Sequence, residues 1–193
     1  LSDVATTLRL LMDMGSSFVL EEDSSISIDS SNLTKLSAEY ELVKTMRASI
    51  LTLGPMLAKY KKAKISLPGG CAIGTRPVNL HLAALEKMGA KIEVKNGYIF
   101  ASTNELIGAN INFDLISVTA TENIIMAASL AKGTTTISNA AQEPEVTDLI
   151  HCLKKMGAKI IGENTSTLVI QGVNHLNGID YSICPDRIEA GTY

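Results

Sequence analysis

A helix-like run that ends at Met-Gly and leads into a strand-like run occurs three times in this chain. The glycines are Gly15, Gly89 and Gly157, which lie 74 and 68 residues apart. Glycine suits the left-handed position at which helices commonly end. Turn-forming residues and a second strand follow each time, as in hairpins. These second strands are expected at 25–29, 98–102 and 167–171. The repeat constrains the fold more than any other feature of the sequence.

The later two copies are preceded by a further helix and strand. The helices are expected at 42–58 and 121–131, and the strands at 64–67 and 134–138. The unit is therefore α-β-α-β-β, used about two and a half times. A period near 70 residues is too long for a solenoid and favours triplicated α/β units in one domain. We expect residues 1–193 to form that domain, and, since the first copy is incomplete, to begin inside a longer polypeptide.

The helices of this repeat are unusually apolar. Between 121 and 131 the only charged residue before Lys132 is Glu122. A helix that is apolar most of the way round is buried. The sequence therefore predicts an inverse α/β, barrel-like domain with helices inside and sheets outside, which reverses the usual layering of α/β folds.

Composition excludes several classes of protein. Hydrophobic residues make up 46% of the chain and charged residues 19%, which is typical of a folded globular protein. The net charge is −3, and the densest basic run, at 59–64, is expected to be a solvated helix end. With no Trp and 4% aromatic residues, there is little material for stacking on bases. We expect no nucleic-acid partner.

No apolar run approaches the roughly 20 residues of a membrane span, and the first residues show no pattern of a secretory signal. Cys71, Cys152 and Cys184 are scattered and form no C-x-x-C pair. Scattered cysteines in an odd number indicate free thiols in a reducing compartment rather than disulfides or a zinc site. We expect a cytoplasmic protein with no membrane partner and no metal.

The segment at 66–78 has the composition of a site. Cys71 follows two glycines in a loop, and Arg76 stands next to Pro77, which suits the first position of a helix. A thiol near a cation and backbone N–H groups can serve as general acid or nucleophile. Arg76 suits a phosphate receiver at a helix N-terminus, with an ordinary surface arginine as the alternative. Cys152 and Cys184 are expected to be packing residues.

Other polar residues leave their roles open. Arg47 lies where its helix enters the core, so it needs an anionic partner, from either the protein or a ligand. His81, in the first turn of the helix opened by Pro77, is expected to bond to a neighbour. Glu143 and Glu145 precede or open a helix, where acidic residues complement the helix dipole.

The motif LPGGCAIGTRPVNLH at 67–81 resembles the active-site loop of the UDP-N-acetylglucosamine enolpyruvyl transferases, which open peptidoglycan synthesis. Further similar stretches lie at 40–49, 120–123, 139–145 and 185–192. The resemblance implies an enolpyruvyl transferase-like fold of two inverse α/β domains with three repeats each. This chain is expected to cover about one of the two, the domain that carries the cysteine loop.

The resemblance also implies the roles of individual residues. Cys71 is the general acid that protonates C3 of phosphoenolpyruvate, forms a covalent adduct with it and is alkylated by fosfomycin. Arg47 contacts the substrates, and no cofactor or metal is needed. The remaining residues that bind phosphoenolpyruvate or UDP-N-acetylglucosamine are Arg76, Pro77, Val78, Asn79, Leu80, Leu115, Ile116, Ser117 and Val118.

Three positions depart from the family pattern. Asn79 stands where many members have Asp, Leu115 replaces a frequent polar or basic residue, and Thr119 replaces a usual Gly. A Lys-Asn pair and a second domain, which supplies the base and further arginines, are expected outside this chain, so the chain alone should be inactive. The alternatives are the shikimate-pathway enolpyruvyl transferase, which places no cysteine in this loop, and a non-catalytic domain that binds a nucleotide sugar.

Overall fold

The computed structural model describes residues 2–43, 46–67 and 78–192. The chain divides into two compact units, Leu1–Leu106 and Ile107–Tyr193, each with its own sheet and core. The organisation of 1–193 as one domain stays a prediction. In the described part of the chain, no helix combines the length and the apolarity needed to cross a membrane.

The first unit contains a two-stranded hairpin, a four-stranded sheet and several helices. Its helices are α1 (Ser2–Met14), α2 (Tyr40–Val43), α3 (Leu53–Tyr60) and α4 (Asn79–Lys87), with a 3-10 helix at Arg47–Thr52. Its strands are β1 (Ser17–Leu20), β2 (Ile26–Asp29), β3 (Ser37–Ala38), β4 (Lys62–Ser66), β5 (Lys91–Lys95) and β6 (Tyr98–Ser102).

The second unit contains one four-stranded sheet in its described residues. Its strands are β7 (Asn110–Asn112), β8 (Thr134–Ser138), β9 (Lys159–Ile161) and β10 (Thr167–Gln171). Its helices are α5 (Val118–Ala128), α6 (Pro144–Lys155) and α7 (Arg187–Thr192).

The two four-stranded sheets have the same topology. Their strand orders are β3-β4-β6-β5 and β7-β8-β10-β9. In each sheet the first two strands are parallel and the other neighbours are antiparallel. The α-β-α-β-β unit predicted from the sequence is therefore confirmed twice, and β1 and β2 form the antiparallel hairpin of the first copy. Both sheets are open, and no sheet closes into a barrel among the described residues.

The three Met-Gly pairs end their helices in the same way. Gly15, Gly89 and Gly157 have φ of 108°, 93° and 106°, the left-handed region that glycine enters without steric cost. After Gly89, the backbone N–H of Ala90 donates to the carbonyl of Leu85 at 3.0 Å. The corresponding bonds after Gly15 and Gly157 are both 2.9 Å long. This is the Schellman arrangement, which satisfies a carbonyl left unpaired at the helix end.

In the second unit, α5 shows the predicted layering of a buried helix against a half-exposed sheet. In α5, Ile124 and Ile125 are fully buried, and the buried residues cover more than one face of the helix. In β8 and β10 buried residues alternate with more exposed ones, as Ile137 and Ile170, both buried, illustrate. One face of the sheet therefore packs on the helices and the other faces outward.

The single helix predicted at 42–58 is wrong. Met46 is extended, with φ of −136° and ψ of 104°, and the 3-10 helix lies between it and α3. Pro55 stands in the first turn of α3 and has no N–H to bond a carbonyl one turn back. The segment before Pro55 therefore forms a 3-10 helix, in which backbone hydrogen bonds join residues three apart.

The basic run at 59–64 also differs from its prediction as a helix end. Lys59 lies in the last turn of α3, and Lys61 has the left-handed conformation directly after that helix. Lys62 and Lys64 lie in β4. The lysines of this run are therefore divided between a helix end and a sheet.

His81 lies in the core of the first unit. It stands in the first turn of α4 and is 3% exposed. Burial lowers the pKa of its imidazole to about 4, because the charged form loses its water. The side chain is therefore neutral at neutral pH.

We expect His81→Gln to flatten the acid limb of the stability profile. Unfolded histidine titrates near 6.5, so unfolding takes up a proton below that pH, and stability falls until the folded pKa of about 4 is reached. The wild-type protein should lose up to about 3 kcal/mol between pH 7 and pH 4 through this group. Urea unfolding across this range measures the slope. Exposed His151 provides the control variant His151→Gln, and equal slopes in all three proteins would contradict the assignment.

Candidate functional site

The residues predicted to bind substrate, where the structure describes them, lie at the starts of three helical segments. Cys71, Arg76 and Pro77 lie outside the described residues. Val78, Asn79 and Leu80 are the cap and first residues of α4, and Arg47 is the first residue of the 3-10 helix. Leu115, Ile116, Ser117 and Val118 lead into α5 of the second unit.

The chain on either side of residues 68–77 is anchored in the core. Ser66 ends β4 and is 1% exposed. The backbone N–H of Leu67 donates to the carbonyl of Gly97 at 2.8 Å. On the other side, the carbonyl of Val78 accepts the backbone N–H of His81 at 3.0 Å. The side chain of Asn79, next to that cap, is exposed.

The turn that begins at Arg47 is held by hydroxyl groups. The buried Ser49 hydroxyl donates to the carbonyl of Met46 at 2.8 Å. The Thr52 hydroxyl donates to the carbonyl of Ser49 at 2.7 Å. These bonds satisfy carbonyls in a helix too short to pair all its own groups. These bonds stabilise the helical turn that contains the backbone of Arg47.

The segment before α5 combines exposed apolar side chains with a capped helix N-terminus. Leu115 is 66% exposed and Ile116 is 60% exposed. Ser117 caps α5, and its hydroxyl accepts the backbone N–H of Ala120 at 3.3 Å. Apolar side chains beside the N–H groups of a helix start suit a ligand with both a flat ring and an anionic group.

A cluster of carboxylates in the second unit was not identified as a site from the sequence. Burial, and then the charges of Glu145 and Glu143, raise the pKa of Glu122 to about 7. One carboxylate oxygen of Glu143, Oε2, is buried and has no hydrogen-bond partner among the described residues. Arg187 donates to both oxygens of Glu145, at 3.0 and 2.9 Å. The signal in the sequence was Glu122, the single charge of an apolar helix.

The segment that leads into α7 is tied to α6. The carboxylate of Asp148 accepts the hydroxyl of Tyr181 at 2.9 Å and the backbone N–H of Cys184 at 3.3 Å. A cleft of about 480 Å³ lies between this segment and α6, and Cys152 and Cys184 both line it. Both cysteines are free, as predicted, and burial raises the pKa of both thiols. They are therefore protonated at neutral pH and poor nucleophiles.

In the part of the chain that the structure describes, no three His, Cys, Asp or Glu side chains are grouped so as to hold a metal ion.

Comparison with known proteins identifies the family. Residues 1–193 match the family described as EPSP synthase (3-phosphoshikimate 1-carboxyvinyltransferase). The chain belongs to this family. It is 73% identical over 193 residues to the UDP-N-acetylglucosamine 1-carboxyvinyltransferase of Ruthia magnifica subsp. Calyptogena magnifica. It is 59% identical over 193 residues to the enzyme of that name from Hydrogenovibrio crunogenus. The chain spans 46% of the length of each of these relatives.

Solved structures share the fold at low sequence identity. The enolpyruvyl transferase NikO from Streptomyces tendae aligns with a TM-score of 0.83 at 20% identity, over 97% of this chain and 45% of that one. An EPSP synthase from Acinetobacter baumannii aligns with a TM-score of 0.71 at 21% identity, over 90% of this chain and 40% of that one. The enolpyruvyl transferase-like α/β fold expected from the sequence is confirmed.

We expect Glu122→Gln to stabilise the protein at high pH. A carboxyl whose folded pKa is about 7 binds a proton more tightly folded than unfolded, so the wild type loses stability as pH rises from about 4.5 to 7. The amide removes that loss, so the variant should exceed the wild type at pH 8 and match it near pH 4. Urea unfolding at both pH values measures the difference.

Glu163 gives a control of opposite sign. A hydrogen bond from Lys154 lowers the pKa of Glu163, so Glu163→Gln should be less stable than the wild type at pH 8, and this deficit should shrink as pH falls below about 4.5. A gain in both variants would show that the effect comes from net charge and not from the surroundings of Glu122.

Proposed function

We propose that this chain works within a polypeptide of its relatives' length, as the domain that carries the cysteine loop. That protein transfers the enolpyruvyl group of phosphoenolpyruvate to the 3′-hydroxyl of UDP-N-acetylglucosamine and releases phosphate. The proposal includes a cytoplasmic location and the first committed step of peptidoglycan synthesis. The observation that carries the proposal is the 59–73% identity, along the whole chain, to proteins named UDP-N-acetylglucosamine 1-carboxyvinyltransferase.

The proposed chemistry is addition followed by elimination. The sugar hydroxyl attacks C2 of phosphoenolpyruvate and gives its proton to the base expected in the second domain, while the Cys71 thiol delivers a proton to C3, which gives a tetrahedral ketal. Phosphate then leaves with the proton held by that base, and C3 returns a proton to the Cys71 thiolate, so the double bond returns in the product. Arg47 and Arg76 hold the anionic groups of phosphoenolpyruvate, because guanidinium groups bind phosphate and carboxylate with paired hydrogen bonds. No metal is required where protein cations neutralise the phosphate.

UDP-N-acetylglucosamine is proposed to contact two stretches of this chain. One consists of Pro77, Val78, Asn79 and Leu80, and the other runs from Leu115 to Val118. Three features support this assignment: the exposed side chain of Asn79, the exposed pair Leu115 and Ile116, and the capped start of α5. A backbone contact at Asn79 tolerates the change from Asp, whereas a contact that depends on charge does not.

The shikimate-pathway reaction is the alternative, since the matched family is described by that activity. The two reactions share phosphoenolpyruvate and differ in the acceptor. The cysteine loop at 67–81 favours UDP-N-acetylglucosamine. A domain that only binds a nucleotide sugar is the second alternative.

We expect the full-length protein to release phosphate from phosphoenolpyruvate with UDP-N-acetylglucosamine and not with shikimate 3-phosphate. Cys71→Ser should lower kcat by roughly 10²–10⁴-fold, the usual contribution of a general acid. Cys152→Ser should change it little, because Cys152 lies on α6 with a protonated thiol. Phosphate release measures kcat of the wild type and the two variants, and mass spectrometry of the sugar product identifies the acceptor. Turnover with shikimate 3-phosphate alone would contradict the proposal.

Fosfomycin separates an enzyme from a module that only binds the sugar. With UDP-N-acetylglucosamine present, we expect one covalent adduct, located by peptide mass spectrometry at Cys71 and absent from Cys71→Ser. The 193-residue chain alone should bind substrate weakly and show no turnover. Sugar binding by the full-length protein without an adduct or turnover would favour the non-catalytic alternative.

A further inference from the structure

A pocket of about 620 Å³ lies on the sheet of the first unit, over β4, β5 and β6 and beside β3. We call it the lysine pocket, because Lys62, Lys64 and Lys91 line it together with Phe100 and Ser102. We propose that the lysine pocket binds a phosphorylated small molecule with a planar ring, such as a nucleoside diphosphate. None of the residues proposed for enolpyruvyl transfer lines it.

Strand register places the charged groups on the outward face of the sheet. Lys62 and Lys91 both pair with Ser102, one from each side. Because neighbouring strands lie about 4.8 Å apart, the two lysine backbones are about 10 Å apart across β6. Long, flexible lysine stems can therefore converge on one phosphate group held over Ser102.

Among the described residues, the two outer lysines of the pocket are not held in ion pairs. Within the described residues, neither Lys62 nor Lys91 forms an ion pair, whereas Lys35 pairs with Asp13. The third lysine, Lys64, lies beside aromatic rings of the same sheet.

The amine of Lys64 lies 4.3 Å from the ring centre of Tyr98 and 6.0 Å from that of Phe100. Glu93 is the single acidic residue of the lining. The charge of Lys64 also interacts with Glu39 outside the lining, so the positive charge available to an anionic phosphate group comes mainly from Lys62 and Lys91.

Phe100 provides a surface for a ring. It is 40% exposed although it lies in the central strand β6, and it pairs with Lys64 on one side and Glu93 on the other. Exposed aromatic side chains bind flat heterocycles by stacking. A phosphate over Ser102 and a ring over Phe100 lie two residues apart along the strand, about 7 Å, which matches a compact nucleotide.

The wall of the pocket is built by the segment before β3. The backbone N–H of Thr34 donates to the carbonyl of Met14 at 3.0 Å, which ties this segment to the end of α1. The backbone N–H of Lys64 donates to the carbonyl of Leu36 at 3.0 Å, which ties it to β4. The pocket is therefore preformed, and its volume lies within the range of about 300–1,000 Å³ typical of small-molecule sites.

The test is calorimetric titration of the protein with adenosine diphosphate and with inorganic pyrophosphate, at low and at high salt. We expect adenosine diphosphate to bind more tightly than adenosine, and high salt to weaken its binding. Lys62→Ala and Lys91→Ala should each weaken both phosphate ligands by about fivefold, the upper value for an exposed charge pair. Phe100→Ala should weaken adenosine diphosphate but leave pyrophosphate unchanged.

Lys95→Ala is the matched control, because Lys95 lies on β5 with the same alternation as Lys91 but does not line the pocket. It should bind like the wild type, and Lys62→Arg should restore most of the affinity lost in Lys62→Ala. Circular dichroism checks that each variant is folded. The proposal is overturned if adenosine diphosphate does not bind, or if it binds equally to the double variant of Lys62 and Lys91. An equal loss in Lys95→Ala also overturns it, since that result assigns the binding to diffuse surface charge.

Discussion

The turn from helix to hairpin at a left-handed glycine is the constraint on which each copy of the repeat depends. Gly15, Gly89 and Gly157 all have φ near 100°. Residues with a Cβ pay about 1–2 kcal/mol in such a conformation. The turn lets the next strand begin directly after the helix, and that strand contacts the helix in each copy. The second hairpin strand, β6 or β10, then pairs with β4 or β8.

Much of the fold could be predicted because equivalent segments of the repeat can be compared with one another within this one sequence. Strands β6, β8 and β10 begin and end where the sequence predicted, since apolar alternation and flanking turns bound each of them. The helix expected at 42–58 failed for a different reason. Its apolar spacing suited a continuous helix, but Pro55 removes one backbone donor and crowds the turn before it. Apolar periodicity reports burial, and it does not distinguish an α-helix from a 3-10 helix in one short stretch.

The carboxylate cluster shows what the sequence could not supply. Glu143 and Glu145 looked like ordinary acidic residues at the start of a helix, which is their local role in α6. Their influence on Glu122 depends on the packing of α5 against α6. No spacing along the chain encodes that contact. Three stretches of this region carried the family resemblance: 120–123, 139–145 and 185–192. They supply Glu122, Glu145 and Arg187, respectively. The charges of these three residues interact in the folded unit.

The two complete copies use the same junction differently. In the second unit, five residues connect β8 to α6, and each end is held. Asn139 is left-handed with φ of 57°, its side-chain amide donates to the carbonyl of Phe113 at 2.8 Å, and the backbone N–H of Ala141 donates to the Thr121 hydroxyl at 3.1 Å. In the first unit, twelve residues separate β4 from α4, and Cys71 lies among them. A junction of five residues held at these points has little spare length for a loop. Because the strand order of each open sheet is set by its own hairpin and parallel edge strand, the junction of one copy can lengthen without changing the strand order of either sheet. The repeat therefore allows one copy to carry a longer connection between strand and helix, and the cysteine proposed as the general acid, Cys71, belongs by sequence to that longer connection.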